Sequence, residues 1–331
     1  MLKVLFIGGT GVISSACSQI CTEKGMDLTV LNRGKTSRPL PESVRTIKAD
    51  INDLHQVNTL LRNLTFDVVV DWIAYIPAHI QRDFELFRNR TAQYVFISSA
   101  SAYQKPPQKL PIRETEPLYN PFWTYSQQKI ACEKILLDLY DKYQFPTTIV
   151  RPSHTYDKTK IPLHGKYTTL DRMLRGKSVI IHGDGTSLWT LTHHKDFAKG
   201  FLCLLGRPDA IGEAFHITSE EILTWNQICS ILADAAGVEP KIIHIPSDFI
   251  WRLDEEWGHE LFGDKAHSMI FDNSKIKKIN PEFEATIPFA EGAKEIVSWY
   301  FEKDSRQVVD KKIDQKLDAI ISAYEVCYRN N

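Results

Sequence analysis

The chain has 331 residues and a net charge of −1 from 40 basic and 41 acidic side chains. It is long enough for one large α/β domain or two lobes, and it carries no overall field that would recruit nucleic acid or an anionic membrane. Six cysteines without a C-x-x-C pair argue for free thiols in a reducing compartment, and no apolar run approaches the roughly twenty residues of a membrane helix, so a cytoplasmic protein is expected.

In chain order, the apolar run Lys3 to Ile7 breaks into Gly8, Gly9 and Gly11. It resumes with Ile13, Cys17, Ile20 and Cys21 on one helical face, which reads as strand, tight turn and helix. Such a turn brings backbone close to a pyrophosphate and aims free N–H groups and the positive end of the helix at it. Gly8, Thr10, Gly11, Val12 and Ile13 are therefore the candidate contacts for a dinucleotide. A second strand, Leu28 to Leu31, ends at Asn32-Arg33-Gly34, where a dinucleotide fold meets the adenosine ribose. Asn32 and Arg33 stand there, with Lys35 and Arg38 close behind and no acid. That corner favours NADP over NAD, although Arg33 stacked on the adenine would permit either.

Val44 to Lys48 reads as a third strand, followed by Asp50-Ile51, with Asp50 placed to meet the adenine amino group. Asn52 or Asp53 caps the next helix. Phe66 to Trp72 and Tyr94 to Ser99 are the fourth and fifth strands, nearly continuous in apolar residues as buried parallel strands are. Strands alternating with helices predict a doubly wound parallel sheet of α/β class, with its site at the carboxyl ends of the strands. Lys105 to Pro121 reads as an ordered loop, Thr124 to Tyr143 as a long helix and Thr147 to Val150 as a sixth strand. Beyond Arg151-Pro152 the alternation loosens. Residues 1–155, with a return near 178–205, are expected to form the nucleotide-binding domain, and 156–331 mostly a substrate lobe with C-terminal helices.

Tyr125 and Lys129 stand four apart, on one face of one helix. A free phenol has a pKa of about 10 and is a poor base at neutral pH, but a neighbouring ammonium and a positive nicotinamide ring favour the phenolate. Tyr125 then moves a proton for a substrate hydroxyl while the cofactor takes the hydride. Ser98 and Ser99 end the fifth strand on the same rim, where a serine can steady charge on that oxygen.

Gly8-x-x-Gly11, Asp50-Ile51, Ser98-Ser99-Ala100-Ser101-Ala102-Tyr103, Tyr125-x-x-x-Lys129, Arg151-Pro152 and His193-x-x-Asp196-x-Ala198, taken as a set, resemble the extended short-chain dehydrogenase/reductases, the NAD-dependent epimerase/dehydratase group. The resemblance covers nearly the whole chain. It implies a Rossmann sheet with a smaller, interwoven C-terminal substrate lobe, Tyr125 as acid/base, Lys129 on the nicotinamide ribose and Ser99 as third catalytic member. It also implies Ala74 and Pro152 among the cofactor contacts, Ser99, Ser101 and Tyr103 facing substrate, and a possible homodimer through the helix of Tyr125 and Lys129.

This chain departs from the family pattern at several places. Ser14 replaces the third glycine. Ala100 and Ser101 stand where the sugar-nucleotide dehydratases carry an acidic pair, so dehydration is disfavoured. The segment from Ala74 to Tyr94 is expected to lack the family's helix. Trp189 replaces an arginine that holds the diphosphate of sugar nucleotides, and the region from Glu260 to Lys275 lacks a second one. A sugar or glycoside stacked on Trp189, with His154 and His193 as polar contacts, is the substrate expected. No metal is expected, since His193-His194 are adjacent and lack a companion ligand at usable spacing. The leading expectation is an NAD(P)-dependent enzyme that oxidises a sugar hydroxyl and re-reduces it from the other face, as a 4-epimerase does. The alternatives are an NADPH-dependent reductase with net turnover and a cofactor-bound RNA-binding protein of the same family.

Overall fold

The computed structural model describes residues 1–36 and 38–329; positions 330 and 331 of the expected second lobe lie outside them. Six strands, β1 (Lys3–Ile7), β2 (Asp27–Asn32), β3 (Arg45–Lys48), β4 (Phe66–Asp71), β5 (Thr91–Ile97) and β6 (Thr147–Pro152), join Ala214–Ile217 in a seven-stranded parallel sheet. From one edge the order is Ala214–Ile217, β6, β5, β4, β1, β2, β3. The chain winds outward in both directions from β1, and the crevice opens at the carboxyl ends where the winding reverses, between β1 and β4.

The sheet is covered on both faces, which is why its strands lack alternation. In β1, Val4 and Phe6 enter the core beneath α1 (Val12–Glu23) and the helix His194–Leu202. Leu5 and Ile7 enter the opposite core, beneath α2 (Leu54–Leu61), α3 (Pro77–Phe87) and α4 (Thr124–Tyr143). The presence of α3 corrects the expectation of a helix-free segment. Its buried face mixes Ile80, Phe84 and Phe87 with the charged Arg82 and Asp83. Arg82 donates to Asp83 and to Asp71 at the end of β4, at 2.8 Å each, so two adjacent charges of α3 point inward and form, with Asp71, an ion-paired triad.

The remaining strands form two-stranded sheets: His154–Tyr156 with Leu191–His193, Leu188–Trp189 with Leu223–Thr224, and Ser178–His182 with Lys241–Ile245. They surround a third core containing Trp189, Trp225 and Tyr300. The helices Tyr167–Leu174, Ser247–Leu253 and Glu255–Glu260, and a π-helical turn Leu261–Lys265, were not legible as periodic segments. The last helix, Lys311–Arg329, is held by the buried Arg172, which reaches Asp314 at 2.5 Å and Asp318 at 2.8 Å. Among the described residues no helix is long and apolar enough to cross a membrane.

Candidate active site

A cleft of about 970 Å³ runs from the glycine turn, past the ends of β4, β5 and β6, to the last helix. Gly8 and Gly9 adopt φ of 105° and 90°, a region costly for any other residue. A Cβ on Gly8 would approach Trp72 Cβ and Ile73 Cγ2 to 3.2 Å. Thr10, Gly11, Val12 and Ile13 continue this wall. Ser14, in place of a third glycine, is buried and its Oγ accepts the Gly11 N–H at 2.7 Å. One backbone donor is thus taken internally, while the first-turn amides of Val12 and Ile13 have no intrahelical acceptor. A groove of this shape and donor set fits a pyrophosphate.

The opposite wall holds the predicted chemistry. Trp123 caps α4 and packs against Tyr125, with ring centroids 4.9 Å apart. Tyr125 and Ser99 line the same wall of the cleft, and the Ser99 hydroxyl partly offsets the burial of the phenol. Ser99 Oγ lies 2.9 Å from Ser101 Oγ, which accepts from Ser126 Oγ at 2.7 Å, so Ser101 reaches the cleft and also fixes Ser99. Lys129 is buried; its ammonium donates to the carbonyls of Ala74 (2.6 Å) and Ile97 (2.7 Å) and lies over the rings of Tyr75 and Phe96. Ala74 thus meets the site through its backbone, its methyl being core.

The protonation states differ from expectation. Burial pushes Tyr125 up to about 12 rather than down, and burial pulls Lys129 down to about 8. The ammonium is committed to two carbonyls and stands 5.8 Å from the Tyr125 ring centroid, so it does not offset the phenol's desolvation.

Several expected contacts are not in the cleft walls. Tyr103 is buried and corrects the reading of it as a substrate contact: its hydroxyl donates to His216 Nδ1 (3.0 Å) and accepts from Arg151 (3.2 Å). His193 is likewise buried, beside Glu295 Oε2 at 3.1 Å. Trp189 borders the cleft but is 1% exposed, covered by Trp225 at 5.1 Å, which leaves too little ring to stack on a sugar. Its indole N–H donates to His154 Nδ1 at 3.1 Å. Burial holds that imidazole neutral, so its proton is on Nε2, the donor that remains at the cleft. Pro152 lines the cleft.

Asn32, Arg33, Asp50 and Ile51 stand at the ends of β2 and β3, beside the glycine turn and outside the cleft walls. Ile51 is core. The basic corner expected to favour NADP is not assembled. Arg33 faces the Asp50 carboxylate at 4.0 Å, and Arg38 is spent on Asp157 at 2.5 Å. A 2′-phosphate there would meet a carboxylate. The sequence reading missed Tyr75, Lys160, Asp264 and Trp257, all cleft residues contributed by loops or short helices without a motif. No group of three metal-binding side chains stands together among the described residues.

Comparison with known proteins adds a second line. A family model described as "NAD dependent epimerase/dehydratase family" matches residues 4–218. The chain is 28% identical over 267 residues to the chloroplast stem-loop binding protein of 41 kDa b of Arabidopsis thaliana, covering 75% of this chain and 67% of that one. It is 22% identical over 326 residues to the dTDP-D-glucose 4,6-dehydratase of Mus musculus, covering 90% and 88%. Among solved structures, an epimerase from Methanothermobacter thermautotrophicus superposes with a TM-score of 0.75 at 17% identity, covering 91% and 92%. A UDP-glucose 4-epimerase with UDP-glucose from Thermotoga maritima gives 0.72 at 20%, covering 90% and 98%. At these identities the structural likeness speaks for the fold.

Proposed function

Because this chain belongs to the NAD dependent epimerase/dehydratase family, we propose that it oxidises a hydroxyl of a sugar or sugar derivative and re-reduces the ketone from the other face, with NAD as its cofactor. The observation that carries the reading is the meeting of Ser99, from the end of β5, with Tyr125 and Lys129, from α4, on one wall of a cleft whose far wall is the glycine turn. A bound nicotinamide supplies reversible hydride acceptance and, when oxidised, a positive charge beside the phenol.

The chain's own groups do the rest. The first-turn amides of Val12 and Ile13 and the dipole of α1 hold the pyrophosphate. Lys129, pinned under Ala74 and Ile97, orients the ribose and the Tyr125 ring. Tyr125 takes the substrate's hydroxyl proton and returns it after re-reduction, while Ser99 donates to the same oxygen as charge develops. A phenol raised to about 12 by burial is protonated at neutral pH, and as a base it depends on the added positive charge.

Ala100 and Ser101, which follow Ser99, offer no acid to expel a hydroxyl, and this supports epimerisation over dehydration. The Arg33–Asp50 and Arg38–Asp157 pairs favour NAD over NADP. Purified protein should carry or titrate with NAD(H), read by absorbance and fluorescence, and absence of both would refute the proposal. Tyr125→Phe and Lys129→Met should each lower turnover by about 10²–10⁴-fold at unchanged fold. Activity within tenfold of the native protein would remove that residue from the mechanism. An enzyme of net turnover would instead consume NADPH in step with a carbonyl substrate.

A further inference from the structure

Arg38 follows β2 in sequence, yet its guanidinium lies across the first turn of α1. Its Nη1 is 3.2 Å from Ser15 Oγ and 3.4 Å from the Gly11 carbonyl, and it reaches the Asp157 carboxylate at 2.5 Å. Its Nη2 donates to Thr159 Oγ1 at 2.5 Å. Asp157 is buried and also accepts from the Thr159 amide (2.8 Å) and hydroxyl (2.7 Å), and these bonds hold its carboxyl below the usual range. Nearby, Thr36 Oγ1 donates to Thr10 Oγ1 at 2.8 Å, joining the same loop to the glycine turn. Thr36, Thr10, Gly11 and Lys160 all line the cleft. One side chain therefore ties three segments at the groove: the loop after β2, the N-terminus of α1 and the stretch that leaves His154–Tyr156 toward the substrate end.

We propose that the Arg38–Asp157 pair is a clasp that keeps the dinucleotide in its groove, so that the cofactor stays bound through successive turnovers. The crossing borders the first turn of α1 that would receive a pyrophosphate, and it holds in place the loop of Thr36 and the segment of Lys160, two cleft residues whose release would widen the groove. The pair suits that task. Asp157 is 3% and Arg38 26% exposed at the side chain, so the bond is shielded on one side but can still open to solvent. Retention is what oxidation followed by re-reduction needs, since the reduced cofactor must remain for the second step; the inference rests on the function proposed above.

The test uses NADH alone, without a sugar. NADH is loaded on the native protein, Arg38→Met, Asp157→Asn and the exchanged pair Arg38→Asp with Asp157→Arg, and its loss is followed by fluorescence on dilution into excess NAD. Both single variants should release NADH at least tenfold faster, and the exchanged pair should recover part of the native rate. Thermal unfolding of each protein identifies any variant that fails to fold, in which case Arg38→Lys, which keeps the charge but loses the fork to Asp157 and Thr159, carries the comparison and should release NADH faster. Equal release rates in the folded variants would overturn the clasp while leaving the enzymatic reading intact. A native protein that binds no NADH would overturn that reading and the clasp with it.

Discussion

The groups that define the site are polar residues denied water, and their protonation follows from that. Lys129 is drawn from 10.5 to about 8 by burial. Between pH 8 and 10.5 the unfolded chain holds a proton there that the folded chain has given up, so the site's contribution to stability rises with pH across that window. In urea unfolding at pH 7.5 and 9.5, the native protein should therefore gain stability with pH relative to Lys129→Met. Parallel curves would mean that Lys129 titrates normally. Tyr125 and Lys129 were legible in the sequence because a four-residue spacing on a helix is a local property. Tyr103 and Trp189 were not, since the same aromatic side chain serves as a cleft wall or as core according to what tertiary neighbour covers it.

At the scale of elements, α4 is divided along its length. Its buried face runs Ser126, Lys129, Glu133 near the cleft and Leu136, Leu139 farther on. Apolar residues anchor the far end against the sheet, and the near end is fixed by bonds. Glu133 accepts from the Ser98 hydroxyl and from Arg151 Nη2 at 2.7 Å, and Arg151 continues to Tyr103 and to the Glu114 carbonyl at 3.0 Å. His216 Nε2–H then donates to the Asp272 carbonyl at 2.8 Å, so the chain of bonds spans β5, α4, β6 and the segment beside cleft residue Phe271. Burying these groups makes each dependent on the others. Glu133→Gln should cost about 3–5 kcal/mol by leaving Arg151 incompletely neutralised, measured by denaturant unfolding. A loss below about 1 kcal/mol would show that Arg151 finds another partner or water. The Arg151-Pro152 motif was visible in the sequence, but its partner lies 18 residues away on another element and carries no sequence mark of pairing.

Over the whole molecule, histidines that are buried or partly buried set the acid limit. His164, stacked on Trp257 at 3.8 Å, His182 and His194 are each pulled from 6.5 to about 4, mainly by burial. Below pH 6.5 the unfolded chain takes up protons that the folded chain refuses until about pH 4. The stability they contribute is therefore complete above 6.5 and is lost as pH falls through this window. Each histidine accounts for on the order of 3 kcal/mol when the loss is complete. Urea midpoints should fall steeply from pH 7 to pH 5, and a flat profile would show that these rings protonate in the folded state.

The sequence by itself determined the six strands through residue 152, the glycine turn, and the helix that presents Tyr125 and Lys129, because each depends on periodicity or on backbone freedom within a few residues; α3, whose buried face carries Arg82 and Asp83, escaped it. Tertiary structure decided which charges point inward, as with Arg82 and Asp83, and which rings are spent on packing. It also decided where Arg38 goes. Its partner Asp157 stands 119 positions away, and the electrostatics that join two such residues act through space, once the winding of the sheet has carried both to the same end of α1.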